Sequence, residues 1–112
     1  AAVVHCRQAP YDVYIGRGRD PASGALGEWG NPFSHRPSRV PGVIIVPTVE
    51  EAIERYRLDL WDTIRSGRLP LARLAALADK TLGCWCVPGP CHGEVLTVAA
   101  TWAEAKMEAE VH

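Results

Sequence analysis

Three of the four cysteines crowd into eight residues near the C-terminus, in Cys84-Trp85-Cys86-Val87-Pro88-Gly89-Pro90-Cys91-His92-Gly93-Glu94. Three chemistries suit this segment. In the first, Cys84 and Cys86 lie two apart on an expected strand and so share a face. The turn then brings Cys91 and His92 back over them. Zn²⁺ takes four sulfur or nitrogen ligands in a tetrahedron, and Cys84, Cys86, Cys91 and His92 supply that number. The spacing is not a standard zinc motif, and sequence neighbours at a helix start rarely both point inward. His5 or Cys6 could replace one ligand if the first strand lies nearby.

In the second chemistry, Cys91 and His92 open a helix, where unpaired backbone N–H groups stabilise anions and depress a thiol pKa. Gly93 permits close approach of another group. Glu94 is then an acid/base partner or a simple complement to the helix dipole. The same turn could hold a phosphate or carboxylate without reacting. In the third, the cysteines are small buried hydrophobes and His92 is satisfied by a backbone carbonyl. His92-Gly93-Glu94 also matches the H-x-E fragment of zinc nucleobase deaminases. Those enzymes need a P-C-x-x-C pair after it, which is absent here, so the match is coincidental.

Two upstream segments carry further candidates. Gly16-Arg17-Gly18 follows a predicted strand, where ligand sites of open α/β sheets lie. It is not the full dinucleotide fingerprint, because the third glycine is missing and Pro21 blocks helix entry. A tight turn with an exposed Arg17 is the plain alternative. Trp29-Gly30-Asn31-Pro32-Phe33 offers aromatic faces for stacking and an Asn31 carboxamide to read a polar edge. Alternatively, Trp29 and Phe33 pin the loop to the core. His35, Arg36 and Arg39 follow, either as a solvated stretch or as phosphate contacts.

The elements that position these groups read as strands alternating with helices. Val3–Cys6 and Tyr11–Ile15 are predicted strands, and residues 16–42 a long loop. Val43–Val46 is predicted as a buried strand. Thr48 and Glu51 form a capping box opening a helix to about Ser66, with Ile53, Tyr56, Leu60 and Ile64 facing in beside Trp61. Gly67 ends it, and Pro70 starts a shorter helix carrying Leu71, Leu74 and Leu77. Thr81–Cys86 is a strand, Val87–Pro90 a turn, and Cys91 to about Glu108 the last helix, with Val95, Ala99 and Trp102 inward. The expected fold is a single α/β domain over residues 1–112. A small, mostly parallel or mixed sheet of about four strands is covered by about three helices.

The 112 residues are 47% apolar and 22% charged, enough for one core. The net charge of −1 argues against non-specific nucleic-acid binding, which needs a basic surface. The basic residues are ten Arg and two Lys, a bias suited to phosphate or carboxylate recognition but equally produced by a GC-rich genome. No apolar run reaches the ~18–20 residues that span a bilayer. The chain begins at Ala1 without a leader-like segment, and the clustered cysteines resemble a site rather than disulfide staples. The expectation is a cytoplasmic protein with reduced thiols.

Tyr-Asp-Val-Tyr-Ile-Gly-Arg (11–17), Trp-Gly-Asn-Pro-Phe (29–33), Ala-Ile-Glu-Arg-Tyr-Arg (52–57) and Leu-Gly-Cys-Trp-Cys…Pro-Cys-His-Gly-Glu-Val-Leu (82–96) occur in that order. Together they resemble the small bacterial and phage proteins grouped as domain-of-unknown-function family DUF4326, over about residues 5–100. The resemblance implies that the Gly-Arg turn, the Asn-Pro-Phe loop and the Cys/His turn form one recurring design, with 36–41 a variable loop.

Two functions are carried forward. The leading expectation is an enzyme acting on a nucleotide, nucleoside or related small anionic ligand. Arg17, flanked by Gly16 and Gly18, and the helix start at Cys91 would hold the anion. Trp29 or Trp85 would cover a ring, Asn31 would orient the ligand, and His92 and Glu94 would act as acid/base groups beside Cys91. The alternative is a non-catalytic interaction module closed by zinc on Cys84, Cys86, Cys91 and His92.

Overall fold

The computed structural model describes residues 1–39 and 41–111; residue 40, inside the expected variable loop, and residue 112 lie outside the described residues. Eight elements follow one another: β1 (Ala2–His5), β2 (Val13–Tyr14), β3 (Phe33–Ser34), β4 (Ile44–Ile45), α1 (Val49–Arg65), α2 (Leu71–Ala75), β5 (Thr81–Cys84) and α3 (Gly93–Val111). Five strands in two sheets with three helices make a small α/β fold, as expected.

The main sheet has the order β1-β5-β2 and is parallel throughout. β5 is its centre, and Leu82, Gly83 and Cys84 are buried, as befits a parallel strand covered on both faces. His5 pairs with Cys84 and Tyr14 with Gly83, so all three strands end at the same edge. Cys6 and Ile15 prolong the ladder, donating to the carbonyls of Cys84 and Gly83 at 2.9 and 2.8 Å. The three chain segments leaving this edge are those with most of the candidate residues.

Local signals account for the helices. Thr48 Oγ1 accepts the Glu51 amide at 3.1 Å, Glu50 and Glu51 occupy the first turn of α1, and Arg65 the last. Gly67 takes φ +80°, a left-handed conformation that stops the helix cheaply only for glycine. Pro70 caps α2. The core gathers Ile15, Tyr56, Leu60, Leu74, Leu77, Leu82 and Leu96 with the small face of α3.

Two expectations about burial change. The buried stripe of α3 is Leu96, Ala99, Ala100 and Ala103, whereas Trp102 is 38% exposed and meets Trp61 edge-on at 4.8 Å. α2 packs against this face, and alanines let it approach where a tryptophan would hold it away. Val43–Val46 is not a buried strand of the main sheet. Among the described residues, Ile44 and Ile45 pair only with β3 and are 51% and 58% exposed; of the four, Val46 alone is buried. A four-residue apolar run carries no period that could say which sheet it joins.

Gly93, at the head of α3, lies where a Cβ would come 2.9 Å from Ile15 Cδ1 and from both Val3 methyls. Gly93→Ala is therefore expected to destabilise by about 1–3 kcal/mol, read from a denaturant midpoint. The Tyr11 hydroxyl donates to the Asp20 carboxylate and holds its pKa below the ordinary range. That stabilisation is present above the ordinary Asp pKa and is lost as pH falls through the lowered one. Asp20→Asn should accordingly cost stability at pH 7 and narrow its gap to the parent chain in acid, as compared by urea titration.

Candidate metal centre

Residues 84–92 reverse direction just beyond the sheet edge. Gly89 donates to the Cys86 carbonyl at 2.7 Å, closing the turn. The reversal places the sulfurs of Cys84, Cys86 and Cys91 all within 4.8 Å of one another. Cys84 and Cys91 are buried, with sulfurs 2.9 Å apart, and Cys86 is exposed. All four cysteines are free thiols. Cys91 Sγ also accepts the Gly93 amide at 3.3 Å, serving as a cap for α3.

The three thiols share charge unequally. Interaction with the Cys86 thiol, then that of Cys91, holds the Cys84 pKa far below the ordinary thiol value. The same contact with Cys84 raises Cys86 and Cys91 in turn. Close thiols that favour a thiolate among them suit a cation, since a metal ion takes thiolates. These three cysteines can coordinate a metal ion.

His92 stands beside this group and outside it. Its Nε2 lies 2.7 Å from the Ile15 carbonyl, and because a carbonyl only accepts, Nε2 carries the hydrogen. Nδ1 is thereby left with its lone pair, 3.8 Å from Cys91 Sγ. Burial lowers the pKa of the ring, and Tyr56 packs edge-on against it at 4.8 Å. Cys6 is held in the sheet rather than in the thiol group, and the His5 ring meets Trp85 instead.

The Asn-Pro-Phe loop reaches the same place. Asn31 is buried; its Nδ2 donates to the Ala52 carbonyl at 3.0 Å and its Oδ1 accepts the Phe33 amide at 2.9 Å. Arg17 Nε donates to the Asn31 carbonyl at 2.6 Å. Gly30 allows this approach, since a Cβ there would stand 2.9 Å from the Gly16 carbonyl oxygen. The glycine turn is also needed as glycine at Gly18, whose φ is +69°. Trp85 Nε1 donates to Tyr14 Oη, which donates to the Arg17 carbonyl, each at 2.7 Å.

Arg17, Asn31, Cys86 and His92 all line one cavity of about 330 Å³. Other candidates lie elsewhere. Trp29 borders a second cavity of about 320 Å³ with Tyr56 and Leu60, and its carbonyl accepts the Tyr56 hydroxyl. Trp85 is 44% exposed under the Arg7 guanidinium. Gly16 is buried, and Gly18 borders a third cavity with Arg17 and Asn31. Glu94 is exposed in the first turn of α3. Tyr14, Tyr56 and the Ile15 carbonyl were not among the expected site residues. Tyr56 was readable only as core, and a backbone carbonyl gives no signal in sequence.

A family model described as a domain of unknown function, DUF4326, matches residues 4–102. The chain belongs to DUF4326. The resemblance read from the ordered motifs thus holds across nearly all of the chain. This DUF4326 chain is also 43% identical over 47 residues to a protein of Enterobacteria phage T4, described as an uncharacterized 12.4 kDa protein in the nrdA-td intergenic region. The match covers 42% of this chain and 44% of the phage protein, less than half of either. No solved structure matches. Among the described residues, no helix is long and apolar enough to cross a membrane.

Asn31→Ala would leave the Phe33 amide without its acceptor and cut the tie from this loop to the Ala52 carbonyl of α1. A loss of about 1–3 kcal/mol in unfolding free energy is expected, measured by urea denaturation.

Proposed function

We propose that this DUF4326 domain is a metal-stabilised module in which Cys84, Cys86 and Cys91 hold a zinc-type ion. The observation that carries the reading is the meeting of three sulfurs within 4.8 Å at the strand-to-helix reversal. Soft thiolates select zinc among the abundant divalent ions. The ion would tie the end of β5 to the head of α3 and fix the exposed turn between them, giving a small domain a rigid surface. Such thiol chemistry suits a reducing compartment, in keeping with the cytoplasmic expectation.

A second reading, an enzyme directed at a nucleotide, nucleoside or related anion, is supported by one observation. Arg17, Asn31 and His92, from three distant segments, border one cavity. His92 would supply a reactive group there, with Cys91 and Glu94, which do not border the cavity, as the other expected residues. Against that division of labour, Nε2 of His92 is committed to Ile15, Glu94 faces solvent, and the Asn31 amide is bonded to backbone. The metal reading leaves fewer groups with two tasks.

Protein purified without chelator is expected to hold one zinc per chain by elemental analysis. Chelation should lower its melting temperature, and restored zinc at ~1,000 times its Kd should return about 4 kcal/mol. Cys86→Ser should abolish stoichiometric binding while Cys6→Ser leaves it intact. Metal-free protein of unchanged stability, indifferent to added zinc, would overturn the reading.

A further inference from the structure

The cavity beside the thiol group has an unusual lining for this chain. The sequence contains 13 acidic residues, yet none borders this space. Arg17, His35, Arg36 and His92 do. Among the described residues, the neighbouring cavities each include at least one Glu or Asp: Glu28 and Asp59 in one, Glu28 in the next, Asp12 and Asp20 in another. Arginine offers a planar fork to a carboxylate or phosphate. The Arg17 guanidinium is aimed by its bonds to the Asn31 and Phe33 carbonyls, at 2.6 and 3.4 Å, which leave other N–H groups unspent. Among the described residues, the Arg36 side chain has no ion pair.

Apolar Phe33, Val49 and Ile53 border the same space, beside the polar Asn31, Ser34 and Ser38. A space of about 330 Å³ lies at the lower end of the range for small-molecule sites. Two arginines and three large apolar side chains thus share one lining, which matches an organic anion better than a bare inorganic one.

Cys86 belongs to both features: it is one of the three clustered thiols and part of the cavity wall. Cys84 and Cys91 are buried, so the cavity side is where the thiol group meets open space. Zinc sites with three protein ligands keep their fourth position for water or a ligand.

We infer that the metal and the cavity form one site, which binds a small organic oxyanion, a phosphate or carboxylate on an apolar or flat body. An oxygen of the anion fills the coordination position left by Cys84, Cys86 and Cys91. Arg17 and Arg36 hold its other oxygens, and Phe33 and Ile53 receive the body. This rests on the metal reading above and adds to it a ligand class and an open fourth position.

Cobalt-loaded protein separates the two claims. Near-ultraviolet thiolate-to-cobalt absorption reports the occupied thiol group, and the visible d–d bands report what else the ion binds. Inorganic phosphate, acetate and a nucleoside 5′-monophosphate are titrated separately, the arms distinguishing phosphate from carboxylate and bare from organic anions. A saturable shift of the visible bands is expected, with an organic anion binding about tenfold tighter than inorganic phosphate. Arg36→Ala, an exposed position, should weaken binding about tenfold with the near-ultraviolet band unchanged. Arg17→Lys should weaken it further.

Near-ultraviolet absorption with visible bands that ignore all three anions would overturn this inference and leave the metal reading standing. The same holds if the anions shift the bands equally in both arginine variants. Absence of the near-ultraviolet band would overturn both.

Discussion

The buried hydrogen bond from His92 Nε2 to the Ile15 carbonyl, 2.7 Å long, ties the head of α3 to the end of β2. β2 pairs with β5, whose last residue is Cys84, and the chain returns through the turn to Cys91 and His92. The loop from Ile15 through the turn is thus closed at both ends. Its closure sets where the Cys91 sulfur stands relative to Cys84. It also fixes the imidazole tautomer, the role that a backbone carbonyl often plays behind a metal-binding histidine. Here the ring supports the thiol group from beside it.

Around that bond, polar groups serve mainly to hold backbone. Asn31, Arg17, Tyr14 and Tyr56 each bond to a main-chain carbonyl, and those carbonyls belong to the long loop or to its neighbours. A loop without regular structure has backbone groups that the sheet cannot satisfy, and these side chains take that part. No buried side-chain nitrogen or oxygen among the described residues lacks a partner. The cavity owes its shape to this network, since Arg17 and Asn31 are both structural ties and parts of its wall.

Much of this was readable in advance where a signal is local. Thr48, Gly67 and Pro70 mark helix ends by their own stereochemistry, and the structure puts them there. Cys84 and Cys86 were expected on one face of a strand with Cys91 and His92 folded back over them; the strand stops at Cys84, and the three sulfurs meet without the histidine. What escaped depends on partners distant in sequence. Phe33–Ser34 is too short a strand to show alternation, and it exists because β4 pairs with it. In α3, nearly every position from Val95 to Ala103 is apolar or small, so residue type does not single out one face. Of the expected Val95, Ala99 and Trp102, Ala99 is buried, and the close approach of α2 favours Leu96 and the alanines over Trp102. Arg17 was placed correctly after a strand, but its attachment to loop carbonyls has no counterpart in residue type.

Cys91 has a second occupation with consequences beyond the turn. Its sulfur receives the first amide of α3, so the atom that would serve a cation also steadies the opening of the helix. α3 is 19 residues long, about 28 Å from end to end. A sulfur has more than one lone pair, so Cys91 can keep this amide while facing a cation, and the ligand set and the helix start share one atom. The helix packs against α2, β1 and α1, and its Trp102 meets Trp61 edge-on. The thiol group is therefore an anchor for the last helix as well as a ligand set, so a residue that replaces Cys91 must answer to both.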